Sequence, residues 1–457
     1  MGVLFSFRHK NRKKALRVRV AIIGTGISGL YAARQLAPRC DLTLFEAQGH
    51  AGGHSNTVEV AVDGQRLAID TGFIVFNEQT YPLFTALLQT LGVAYQPSEM
   101  SFSFRCGDTG LEYRGDNTFD ALFAQRRNAL RPSFYRMLRD ILRFNRLGDA
   151  LIAADPAVTL GEFLAARNFR GNLVDNYLLP MAGAIWSAEP ARILAFPATH
   201  FGRFFQNHGL LQVDGRPQWL TVTGGSREYV RALLRPLRDR LLLDTPVEWV
   251  ERHPDRVVVK ARGRPAADYD HLIMACHSDQ ALALLRDPSV AEREVLGAIA
   301  YQDNDAVLHT DARLLPRRRR AWAAWNYHRG GQATATTGRV SVTYNLTRLQ
   351  SLPTRRQFLL TLNGDEAVDP RTILHRQTYS HPVFDAASLR AQGRHTEING
   401  VDRTWYCGAY WGYGFHEDGV RSAAAVCNAL GQRACPATNP ETVPETLDAQ
   451  LYLSGTR

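Results

Sequence analysis

Three glycines, Gly24, Gly26 and Gly29, stand in Gly-x-Gly-x-x-Gly spacing between the apolar run VRVAIIG and the helical stretch LYAARQL. Few short patterns restrict a fold so tightly. The first glycine permits a tight turn, the second lets backbone approach a diphosphate, and the third lets the helix lie close on the strand, so the helix N-terminus, with Ile27 and Ser28, faces an anion. A second apolar run, DLTLFE, ends in Glu46, 20 residues after Gly26, where a carboxylate accepts hydrogen bonds from ribose hydroxyls. Together these residues predict an α/β dinucleotide-binding unit.

The 457 residues allow two or three domains, or one large domain assembled from separated segments. With 45% hydrophobic and 21% charged residues, fibrous and wholly disordered chains are excluded. The net charge of +10 suggests an acidic partner, but only four of the basic residues are Lys and 50 are Arg, a bias of composition more than of phosphate contacts. No nucleic-acid module is present, so a nucleic-acid role is set aside. Six scattered cysteines lack metal or disulfide spacing, so no metal site is expected and a reducing cytoplasm fits best.

Strand patterns recur at 58–76, 241–261 and HLIMAC; TYPLFTALLQTL reads as an amphipathic helix stopped by Gly92, and 116–180 as largely helical. Residues 1–15 are expected to be a flexible basic arm and 435–457 a mobile tail. Between 126 and 146, seven Arg surround Leu130, Phe134, Leu138, Ile141 and Leu142 at helical spacing, a pattern shared by membrane-surface helices and by surface helices whose apolar stripe faces the core. With Arg317 to Arg320, it carries the expectation of an anionic membrane surface as partner and of a cytoplasmic protein peripheral on the inner membrane face.

Beyond Glu46 come Gly52-Gly53-His54 and then Asp70-Thr71-Gly72-Phe73; further along stand TVTGGSREYV, a strand near Val247, HLIMACHSDQALALL, and Cys407-Gly408-Ala409 before Glu417-Asp418-Gly419-Val420. In this order the segments resemble the flavin-containing amine-oxidase superfamily over nearly the whole chain. That resemblance implies FAD as cofactor, and α/β architecture: a Rossmann-like FAD-binding domain of the amine-oxidase or p-hydroxybenzoate-hydroxylase type with an inserted, largely helical α+β substrate domain. The FAD-binding domain is expected from 16–76, 221–299 and 396–434, and the substrate domain from 77–220 and 300–395. The resemblance further implies that Val247 meets the adenine side, and that Gly408, Asp418, Gly419 and Val420 belong to a helix N-terminus facing the flavin, where its dipole favours negative charge on the reduced ring.

Two departures stand out: His54 replaces an Arg common after the Gly-Gly pair, and Ala409 replaces an acidic residue. No lysine is placed to bridge a water to the flavin as in amine oxidases. GHSNTV, IDTGFIVFN, AIWSAEP, YNLTRLQ and GYGFHEDGVRSA resemble a bacterial subgroup associated with cyclopropane-synthase-like lipid methyltransferases. That subgroup implies a fatty acyl or phospholipid substrate, desaturated by allylic hydride transfer, and a lipid methyltransferase as partner. The alternatives are a fatty acid double-bond isomerase, an amine or carotenoid oxidase, and a flavin-bound assembly factor without turnover.

Tyr410, Trp411, Tyr413 and Phe415 concentrate aromatic surface before the last helix, either as a substrate passage or as core packing. His416, Glu417 and His54 are the titratable groups nearest the expected flavin, and so the candidates to move a proton, with Tyr410 beside them. His208 and Trp186 are further candidates on the substrate side.

Overall fold

The computed structural model describes residues 17–62, 64–115, 118–186, 188–212, 215–330 and 341–433. The expected basic arm and tail lie outside these residues.

Val20, Ala21 and Ile22 are fully buried in the strand Arg19–Ile23, the central strand of a five-stranded parallel sheet. Burial on both faces is what a parallel sheet covered by helices requires. Val20 and Ile22 face a core shared with the helices Ile27–Leu36 and His416–Arg433, while Ala21 and Ile23 face one shared with Val250, Val259 and Leu296. Beside the central strand lie Asp41–Phe45 and Leu241–Leu242 on one flank, and His271–Met274 and Thr404–Tyr406 on the other. An antiparallel three-stranded sheet, Val247–Arg252, Val257–Ala261 and Ala267–Tyr269, stands next to it.

The second half is built on a seven-stranded sheet of strands between 102 and 115 and between 301 and 382, with helices from 119 to 207 packed on it. Phe102–Cys106 pairs in parallel with Trp325–Arg329, which ties two distant chain segments into one layer. Phe104, Phe163, Phe201 and Phe205 fill the interface between helices and sheet. The chain therefore has the expected α/β FAD-binding architecture with an inserted helical substrate-binding subdomain.

The helix Pro82–Leu91 ends at Gly92, whose φ of +66° caps it in the left-handed region. Leu83, Phe84, Leu87 and Leu88 place it in the core of the nucleotide-binding half.

The basic helix, Pro132–Asn145, turns its apolar stripe inward: Phe134, Met137 and Phe144 are buried, and Leu138 and Ile141 line the large internal cavity. Most of the stripe is thus turned into the protein's own interior, whereas Leu130 and Leu142 stay exposed. No helix among the described residues is long and apolar enough to cross a membrane.

Candidate active site

A cavity of about 1540 Å³ runs between the parallel sheet and the seven-stranded sheet. It exceeds the roughly 300–1,000 Å³ of an ordinary small-molecule site, leaving room for a dinucleotide and a substrate together.

One end is formed by the glycine turn. Gly24 has φ +98°, and a Cβ there would lie 2.8 Å from the Ala275 carbonyl oxygen; at Gly29 it would lie 2.0 Å from the Gly24 oxygen. At Gly26 nothing stands within 4 Å, so the backbone is bare on the cavity side. The first turn of helix Ile27–Leu36 has no side-chain cap at its N-terminus, leaving its N–H groups for an anion. Glu46 is held by donors from two directions: its Oε2 accepts from the Thr25 amide at 3.1 Å and from the Thr25 hydroxyl, and its Oε1 from the Gln48 amide at 3.0 Å. A bare cradle beside a fixed carboxylate is the pair of features a dinucleotide needs, and the residues present fit FAD.

Gly24, Gly26, Ile27, Ser28, Glu46, Gly52, Gly53, His54, Gly72, Phe73, Val247, Gly408, Tyr410 and His416 all line this one cavity. His208 and Trp186 line it too. Gly29 and Gly419 stand back from it. A Cβ on Gly419 would meet Ile27 Cγ2 and Ser28 Oγ at 2.9 Å, so this glycine lets the last helix approach the first.

Glu417, Asp418 and Val420 are turned away. The Glu417 carboxylate accepts hydrogen bonds from the Leu83 amide at 3.2 Å and the Phe84 amide at 3.0 Å, capping the helix Pro82–Leu91. It is therefore a structural anchor and not a proton acceptor in the cavity. Burial lifts its pKa to about 6 against the pull of these amides. Asp418 accepts from the Tyr413 and Phe415 amides at 3.0 Å, fixing the aromatic loop instead of touching the cofactor. Val420 is wholly inside the core. We expect Glu417→Gln to lower stability by about 1.5–3 kcal/mol, the range for hydrogen bonds to a charged group, while flavin content stays unchanged; chemical denaturation and absorbance measure the two separately. Loss of flavin without loss of stability would return Glu417 to the cofactor site.

His416 reaches the cavity as a held, neutral ring. It stacks on Phe73 with centroids 3.6 Å apart, and its Nε2 lies 2.8 Å from the Tyr229 hydroxyl and 3.1 Å from the Ser55 hydroxyl. Burial pushes its pKa down to about 3, so it carries no charge near neutrality. His54 also lines the cavity, with His381, Tyr379 and His277 at centroid distances of 5.4, 5.0 and 6.2 Å. Burial also holds the imidazole of His54 well below its usual range.

The aromatic loop divides. Tyr410, Tyr413 and Phe415 line the cavity, whereas Trp411 packs against Tyr410 and His395 behind it. Sequence reasoning missed His277, Tyr301, Tyr379 and His381, all cavity-lining. Tyr379 and His381 stand two residues apart on the strand Ile373–Pro382, the period that puts side chains on one face.

The fold and the cavity define an FAD-dependent oxidoreductase. Residues 27–314 match the family model described as flavin containing amine oxidoreductase, and the chain belongs to that family, with FAD as its cofactor. A Mycobacterium tuberculosis protein described as "Putative flavin-containing monoamine oxidase AofH" is 27% identical over 292 residues, covering 59% of each chain. The chain thus spans about three fifths of the length of the curated relatives it matches. In fold it is similar to a putrescine oxidase variant, with a TM-score of 0.67 and 16% identity over 92% of this chain and 100% of that one. It is similar also to cyclohexylamine oxidase from Brevibacterium oxydans, with a TM-score of 0.65 and 17% identity over 91% and 99%. These relatives overturn the acyl-chain reading: the curated ones are described as monoamine oxidases, so the expected fatty acyl or phospholipid substrate, lipid methyltransferase and anionic membrane partner do not stand.

Proposed function

We propose that this chain is an FAD-dependent amine oxidase whose substrate enters as the uncharged amine. The observation that carries the reading, beside family membership, is the charge inventory of the cavity. Among its described lining residues the one carboxylate is that of Glu46, engaged at the nucleotide end, and the one guanidinium is that of the exposed Arg216. The rest of the wall combines aromatic and aliphatic side chains with uncharged amides and hydroxyls such as Asn145, Gln218 and Thr378, and burial keeps the imidazoles of His54, His381 and His416 neutral.

Away from the nucleotide end an ammonium ion meets no carboxylate among the described lining residues, and its desolvation costs several kcal/mol. Aromatic faces return about 0.5–2 kcal/mol, which does not offset that cost. The free amine wins, and it is the form whose neighbouring carbon can release hydride. When bound, FAD supplies the two-electron acceptor for that hydride. Within the chain, Glu46 would hold the ribose, the first turn of helix Ile27–Leu36 the diphosphate, and Tyr410, Tyr413 and Phe415 would exclude water and orient the substrate. Lys260 lies on the strand Val257–Ala261 with its ammonium on the Arg264 carbonyl. Proton handling beside the substrate therefore falls to imidazole and phenol groups.

The test is anaerobic mixing of the holoenzyme with aliphatic and aromatic monoamines, diamines and the matching alcohols. Monoamines should bleach the flavin; diamines, which keep a second positive charge, should do so at least tenfold more slowly. Bleaching by alcohols and by no amine would defeat the proposal.

A further inference from the structure

Two asparagines behind the cavity wall determine which nitrogen of His381 carries its proton. The Asp305 backbone N–H donates to Asn363 Oδ1 at 3.1 Å, so the other end of that amide, Nδ2, is the atom that donates to Asn304 Oδ1 at 2.7 Å. Asn304 Nδ2 in turn donates to the Gln302 carbonyl at 3.1 Å and meets His381 Nδ1 at 2.8 Å. Both amides are thus oriented from the backbone, one by an obligatory donor and one by an obligatory acceptor, and neither can be flipped without losing a bond. An amide nitrogen facing Nδ1 requires a lone pair there. In a neutral imidazole the proton then sits on Nε2.

Neutrality comes from the surroundings. Asn304 is fully buried, and His381 packs against His54, which itself packs against Tyr379 and His277. The neighbouring carboxylate, Asp303, is exposed and accepts the Ser380 hydroxyl on the strand's outer side. Burial brings the His381 pKa down to about 4.

We propose that the Asn363–Asn304 pair fixes His381 as the Nε2–H tautomer, so that it acts as a positioning residue selecting the uncharged form of the substrate amine. A free amine offers a lone pair to an N–H donor. An ammonium offers only further donors and is met donor to donor, as specificity by an unsatisfied polar contact requires. Beside it, with ring centroids 5.4 Å apart, stands His54, whose buried Nε2 has no hydrogen-bond partner among the described residues. The selecting role rests on the amine reading; the tautomer does not.

Ring 15N–1H correlation spectra of the 15N-labelled holoenzyme read the tautomer directly. The expected result is a proton on Nε2 of His381 in the native chain and on Nδ1 in Asn304→Asp, because a carboxylate can only accept. The selecting role is read by perturbation of the flavin absorption on titration with benzylamine and with its trimethylammonium analogue. The native protein should prefer the amine at least tenfold. His381→Ala should abolish that preference, and His381→Gln, which restores an N–H donor, should recover most of it. A native proton on Nδ1 overturns the tautomer, and an unchanged preference in His381→Ala overturns the selection. If no amine perturbs or bleaches the flavin while the proton is on Nε2, the amine reading fails and the tautomer stands.

Discussion

Gly26→Val is expected to give a folded protein without flavin. The backbone at Gly26 has no neighbour within 4 Å on its Cβ side, so a valine fits the apoprotein and fills only the space the diphosphate needs. Flavin content of the purified protein should fall at least tenfold, with native far-ultraviolet dichroism and little change in the apoprotein's melting. Gly29→Ala separates binding from folding, because its Cβ would sit 2.0 Å from the Gly24 carbonyl oxygen and force helix Ile27–Leu36 off the sheet. Overpacking against backbone costs about 1–3 kcal/mol and occasionally more, so this second variant should lose soluble yield and not merely colour. A Gly26→Val protein that retains its flavin would show that the diphosphate lies elsewhere.

The second large effect concerns pH. If only the free amine reacts, kcat/KM should rise close to tenfold per pH unit between about pH 6.5 and 9, below the pKa of an alkylamine near that of lysine, about 10.4. The buried imidazoles His54, His381 and His416 should add no inflection. His381 and His416, lowered by burial to about 4 and about 3, are already neutral throughout this window, as is His54. Burial raises the Tyr301 phenol far above its ordinary value, so it keeps its proton throughout. Stopped-flow reduction across the range, with a buffer series of constant ionic strength, reads the slope. A flat profile would mean that the ammonium is the species bound, and the uncharged-substrate reading would be lost.

The nucleotide end is legible from residues alone because backbone geometry dictates it: a φ of +98° and a 2.0 Å approach leave glycine little competition, and Glu46 stands at the distance one βαβ step sets. The proton-handling residues are not, because nearness in sequence is not nearness in space. Along the helix His416–Arg433 successive side chains turn by about 100°, so His416 meets the cavity while Glu417 reaches the neighbouring helix and Asp418 the loop before it. The basic helix misleads for a related reason. Its periodic stripe is real, but periodicity does not say what faces it: Phe134, Met137 and Phe144 turn to the core, while Leu130 and Leu142 stay exposed. His381 stays hidden in the sequence since its meaning depends on Asn304 and Asn363, which two separate strand pairings bring to its side.

The order of strands bears on how the protein is made. The parallel sheet draws its edge strand Thr404–Tyr406 from near the end of the described chain and pairs it with His271–Met274, while Phe102–Cys106 waits for Trp325–Arg329 before it has its parallel neighbour. Neither layer is complete on a nascent chain until most of it has left the ribosome. Contacts so far apart in sequence close slowly, and the apolar strands stay exposed meanwhile. Cofactor uptake therefore waits until the strand Thr404–Tyr406 has emerged, and chaperone supply and free flavin at that moment, more than the stability of the folded protein, should set the yield of active enzyme during overproduction.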